Sequence, residues 1–97
     1  MSLVVCRSVC GGVRYIRLFA GPFVVVWRRQ RRVLSARDVV VVRDDRFSLV
    51  DGHSLRITAV QPADQASYTC ALDTEPLSEL THRLEVLCEC HCQVTSV

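Results

Sequence analysis

The chain has 97 residues, a hydrophobic share of 49%, a formal net charge of +2 and six cysteines, which bounds it to one domain with enough apolar side chain for one core. No apolar run approaches the roughly 18 residues of a membrane-spanning helix, and so small a net charge gives no global sign of nucleic-acid binding. All twelve basic residues are Arg, and Lys and Asn are absent; we read the Arg bias as coding preference, and without Asn there is no N-glycosylation sequon.

Taken in chain order, the sequence reads as strands throughout. Residues 3–9 form a first candidate strand. Residues 23–29 form a second, with Phe23, Val25 and Trp27 on one face and Val24, Val26 and Arg28 on the other. A turn at residues 30–32 leads to a short strand at Val33 and Leu34. Residues 39–43 and 46–50 follow as β-branched or alternating segments. Asp51-Gly52 is a turn signal. Residues 54–60, 67–73 and 80–87 complete the set, with Glu75-Pro76 marking the loop before the last strand. Helical periodicity is not sustained anywhere, and there are no internal repeats.

The segment from Leu55 to Cys70 carries the most information. Leu55 and Ile57 share an inward face that Val60 closes; Pro62, Ala63 and Asp64 make a corner; Tyr68 and Cys70 then resume that face. A Tyr two residues before a Cys, just after a corner, is the tyrosine-corner pattern of immunoglobulin (Ig) sandwiches, and Trp27 stands upstream where such a domain packs a Trp on its core. The fold class expected is therefore all-β: an Ig-like (V/I-set) two-sheet Greek-key sandwich, with N-terminal strands that could be incomplete. In Ig order, residues 3–9 would be strand B or its remnant, and 23–29, 33–34, 46–50, 54–60, 67–73 and 80–87 would be C, C′, D, E, F and G. Three regions follow: residues 1–21 as an N-terminal segment with uncertain strands, 22–87 as the Ig core, and 88–97 as a Cys-rich, disordered tail. The expectation includes a chain cut from a longer parent or imperfect at its flanks, with no signal peptide evident.

Val26-Trp-Arg-Arg29, Arg43-Asp-Asp-Arg-Phe47, Ser54-Leu-Arg-Ile-x-x-Val60, Asp64-x-Ala-x-Tyr-x-Cys70 and Thr81-His82-x-Leu-Glu-Val-Leu87 together resemble the first Ig domain of neural adhesion proteins of the lachesin and klingon type, similar to the IgLON proteins. The resemblance covers about two thirds of the chain and is specific to the superfamily more than to the subfamily. It implies the membrane-distal module of a membrane-anchored, cell-surface adhesion protein that binds another Ig domain, itself or a different one, through its G-F-C-C′ sheet. That sheet would present Val24, Val26, Arg28, Ala71 and Asp73, and adjacent outward Val residues on strand C suggest a covered patch.

The same resemblance implies two structural pairs. A strand-B cysteine would stand about a dozen residues before Trp27, near Tyr15, where there is none. Cys10–Cys70 across a longer loop, Cys6–Cys70, or no bridge all remain open; a closed loop of about 60 residues would contribute roughly 4 kcal/mol. Arg46 opening strand D would pair with Asp64 at the E–F corner, while Asp44 and Asp45 read as solvated turn charges.

The Arg28-Arg29-Gln30-Arg31-Arg32 run offers a different function, contact with a glycosaminoglycan such as heparan sulfate. Alternation along a hairpin divides it between two sides, so solvated rim arginines are the plainer expectation. Cys88-x-Cys90-His91-Cys92 is too tightly spaced for a structural zinc site, and no metal or cofactor is expected. His53 and His82 read as surface residues. No nucleophile elbow, phosphate loop or paired metal-ligand motif is present, so catalysis is not expected. The third reading is an inactive fragment of a longer adhesion protein.

Overall fold

A computed structural model describes residues 2–18, 24–51 and 53–87. Its strands are β1 (Ser2–Val9), β2 (Arg14–Ile16), β3 (Val25–Arg29), β4 (Arg32–Ala36), β5 (Val39–Val40), β6 (Phe47–Val50), β7 (Ser54–Ile57), β8 (Ala66–Leu72) and β9 (Ser78–Leu87), with a 3-10 turn at Pro62–Asp64. They form two sheets, ordered β1-β9-β8-β3-β4-β5 and β2-β7-β6. This is the V-type Ig arrangement, A′-G-F-C-C′-C″ over B-E-D.

Alternation explains why the sheets face each other. Along β8, Ala66, Tyr68, Cys70 and Leu72 are buried while Ser67, Thr69 and Ala71 are half-exposed, the period-2 pattern of a strand with one face on a core. On β3, Val25 and Trp27 are buried. Leu55 and Ile57 of β7, Ile16 of β2 and Leu34 of β4 meet them from the other strands. Each such side chain, fully buried, contributes about 1.5–3 kcal/mol. The indole N–H of Trp27 donates to the His53 carbonyl at 2.7 Å, so the polar edge of the largest core residue is satisfied.

The N-terminal strands differ from expectation. Residues 3–9 do not form strand B; they belong to β1, which runs parallel to β9 from Ser2 opposite Leu80 to Val9 opposite Leu87. The B position is taken by β2, antiparallel to β7 with Ile16 opposite Leu55. The Gly11-Gly12 pair makes the crossover between sheets: Gly11 adopts φ 81°, a left-handed conformation that favours glycine. Its amide donates to the Val60 carbonyl at 2.8 Å. Residues on both sides of position 22 therefore share the sandwich.

Neither expected disulfide to Cys70 forms. Cys70 and Cys6 carry free, buried thiols, and Cys10 is disulfide-bonded, though to neither of them. Distance along β9 is the reason. The Cys10 amide bonds the Leu87 carbonyl, whereas Cys70 pairs with Leu80; seven strand residues, roughly 23 Å, separate those levels, and a disulfide needs Cα atoms within about 7 Å. Cys6, opposite Leu84, is also displaced along the sheet. The inward residue of β2 is Ile16, an aliphatic side chain.

His82 is not at the surface. It lies on the inward side of β9, opposite Tyr68 and 7% exposed, because the alternation that buries Leu84 also turns position 82 inward. The strand proposed over 39–43 shortens to Val39–Val40. Phe23, Gly52 and the cysteines of 88–97 lie outside the described residues.

Candidate protein-binding face

The outward face of the six-stranded sheet follows from register. Val26 stands opposite Ala71 on one side and Ala36 on the other, and Ala36 stands opposite Val39. Val39, Ala36, Val26 and Ala71 thus form one apolar row across β5, β4, β3 and β8. Glu79 continues it on β9. A second row holds Val33, Arg28, Thr69 and Thr81. Above the first row, Val24 accepts the Asp73 amide through its carbonyl at 3.0 Å. Val24, Val33 and Val39 are 36%, 40% and 57% exposed.

Small side chains at Ala36 and Ala71 leave the middle of this face low. Most of the polar groups between its rows are engaged: Arg28 Nη2 meets Glu79 Oε2 at 3.2 Å, and the Thr69 and Thr81 hydroxyls are 3.4 Å apart, while Arg28 Nε has no hydrogen-bond partner among the described residues. A partner covering this face has little buried polarity to satisfy. The geometry brings Val24, Val26, Arg28, Ala71 and Asp73 onto one side and adds Val33, Ala36 and Val39. The missing signal was pairing: Val33 and Val39 sit in short strands, and only the β4–β5 register puts Val39 beside Ala36.

The bottom corner holds Arg46 and Asp64 together. The Arg46 Nη1 and Nη2 groups donate to the two Asp64 carboxylate oxygens at 2.6 and 2.9 Å, a bidentate pair on a carboxylate that is 1% exposed. Asp44 is not a free turn charge: it accepts from Arg46 Nε, Nη2 and backbone N–H at 3.0–3.2 Å. Those hydrogen bonds hold its carboxyl below the ordinary range. Asp45 is exposed. The Tyr68 hydroxyl donates to the Asp64 carbonyl at 2.6 Å, completing the tyrosine corner.

The arginine run is divided. Arg28 turns to Glu79, and Arg29 turns the other way, 3.9 Å from Asp64 and over the Phe47 ring at 5.9 Å. Arg31 and Arg32 stay exposed at the hairpin. Elsewhere, a cavity of about 420 Å³ is lined by Arg17, Leu18, Asp51, His53 and Ser54. Its Ser54 hydroxyl accepts the Leu18 amide at 3.0 Å, so that group serves to hold β2 against β7. Among the described residues no group of three His, Cys, Asp or Glu side chains converges on a metal position.

No family model and no curated protein sequence matches the chain; solved structures do. A chain of the crystal structure of Dpr11 IG1 bound to DIP-gamma is 29% identical, with a TM-score of 0.70 over 90% of this chain and 99% of that one. The RIG-5 IG1 homodimer gives 26% identity and a TM-score of 0.68 over 88% and 91%. The Ig1 domain of mouse SynCAM 2 gives 24% and 0.75 over 90% and 93%. The fold is that of an Ig domain, and its structural neighbours include first Ig domains of cell-adhesion proteins.

Proposed function

We propose that this chain is a cell-adhesion recognition module that binds another Ig domain through the outward face of β9-β8-β3-β4-β5. The observation that supports this reading is the apolar row from Val39 through Ala36 and Val26 to Ala71, flanked by exposed Val24 and Val33. A row of that kind on an otherwise solvated sheet gains by being covered. Structural neighbours crystallised as Ig–Ig pairs, Dpr11 IG1 with DIP-gamma and RIG-5 IG1 with itself, support another Ig domain as the partner; the choice of face rests on the apolar row. Extracellular placement in a membrane-anchored parent, and the finer likeness to lachesin, klingon and IgLON proteins, rest on the sequence motifs. Glycosaminoglycan binding is not favoured, because Arg28, Arg29 and the Arg31–Arg32 pair point to different surroundings.

The test is surface plasmon resonance of the chain against immobilised first Ig domains of adhesion proteins, itself included. Binding to at least one should fall about tenfold or more in both Val26→Asp and Val39→Asp, since a charge in the centre of an apolar contact is left desolvated. Unchanged binding in both folded variants would remove the reading.

A further inference from the structure

The chain holds six cysteines. Cys6 and Cys70 are free thiols and Cys10 is disulfide-bonded, which leaves Cys88, Cys90 and Cys92 as the partners the chain can supply, all three outside the described residues. Register distinguishes them. β1 and β9 run parallel with Val9 opposite Leu87, and the Cys10 amide donates to the Leu87 carbonyl at 3.0 Å. The ladder thus reaches Cys10 on one strand, and the residue after Leu87 on the other is Cys88. Val9 and Leu87 are exposed, whereas Ser8 and Val86 before them are half-buried.

We infer that Cys10 is bridged to Cys88, and that this bond between the first and last strands is a redox-sensitive clamp on the domain. Neighbouring strands stand about 4.8 Å apart, within the Cα separation of about 4.4–6.8 Å that a disulfide takes. Continued by one residue, the alternation puts positions 10 and 88 on the same, inward side. A strand carried on to Cys90 would set its Cα about 8 Å from that of Cys10, past the range. The usual Ig bridge joins the two sheets; here Ile16 fills the β2 position and the Cys70 thiol is unpaired. The Cys10–Cys88 bond instead holds β1, whose one sheet neighbour is β9, and closes nearly the whole domain into one loop, which constrains the unfolded chain strongly. A thiol reductant opens it: two reductant thiols become one disulfide, and Cys10 and Cys88 each take up a proton.

Peptide mapping of the intact chain without reduction tests the bond, after free thiols are alkylated in denaturant. Trypsin releases Cys10 in residues 8–14, and a glutamyl endopeptidase cuts after Glu85 and Glu89, separating Cys88 from Cys90 and Cys92. The 8–14 peptide should be linked to 86–89. A link to 90–97, or alkylated Cys10, would overturn the assignment. Urea denaturation tests the clamp. A dithiol reductant should lower the wild-type midpoint by about 1 M or more. Cys10→Ser and Cys88→Ser should start at that lower midpoint and ignore the reductant, whereas Cys90→Ser with Cys92→Ser should respond as the wild type does. A wild-type midpoint that reductant leaves unmoved would overturn the clamp even where the bond is found. A Cys88→Ser variant that still responds to reductant would overturn both.

Discussion

The rings of Trp27 and His82 lie with centroids 5.7 Å apart at 45°, in a core that offers neither imidazole nitrogen a hydrogen-bond partner. Burial holds the His82 pKa below its ordinary 6.5, and the Arg14 guanidinium adds to the effect. The unfolded chain therefore binds a proton that the folded one resists. Stability from this residue is complete above pH 6.5 and declines as pH falls through the lowered folded-state value. Urea midpoints should drop between pH 7 and pH 5 in the wild type, and the drop should shrink in His82→Leu. That variant should also gain about 1–3 kcal/mol near neutrality, where it removes an unsatisfied polar group.

Arg46 should be costly to remove. Arg46→Ala leaves the buried Asp64 carboxylate with the Gln61 amide at 2.8 Å and the distant Arg29. The expected loss is about 3 kcal/mol in chemical denaturation. Arg46→Lys keeps the charge but not the two-pronged geometry, and should recover only part.

Tyr68→Phe deletes a buried donor and strands the Asp64 carbonyl it served. Denaturation should register a loss of about 1–1.5 kcal/mol, with the sheets unchanged by circular dichroism.

The Cys70 thiol should be inert in the folded chain. Burial pushes its pKa up to about 11, so almost none is thiolate at neutral pH. Alkylation followed by peptide mass mapping should leave Cys70 unmodified under native conditions and label it fully in denaturant.

What was legible in the sequence was whatever repeats locally. The alternation around Trp27, Tyr68 and Cys70 placed β3 and β8 and their inward faces, and the spacing from Leu55 to Tyr68 placed the corner. Long-range pairing was not legible. Residues 3–9 carry a strand pattern, but only the Gly11 crossover and the parallel ladder to β9 decide which sheet they join. The Cys10–Cys70 expectation failed for the same reason, since chain spacing says nothing of two cysteines landing seven residues apart along β9. His82 was misplaced because a histidine was weighed by type when the period of β9 already turned it inward. On the binding face, Val26 and Ala71 were visible from strand alternation, whereas Val39 needed the β4–β5 register.

Methyl NMR of the valine side chains, followed as a first Ig domain that binds the chain is titrated in, tests the central claim most directly. Exposed valines occur on the face (Val24, Val33, Val39) and just before β2 of the other sheet (Val13), so each spectrum carries its own control. The account predicts that Val24, Val26, Val33 and Val39 shift together while Val13 stays fixed. Shifts centred on Val13, with the Val26 row unmoved, would contradict it.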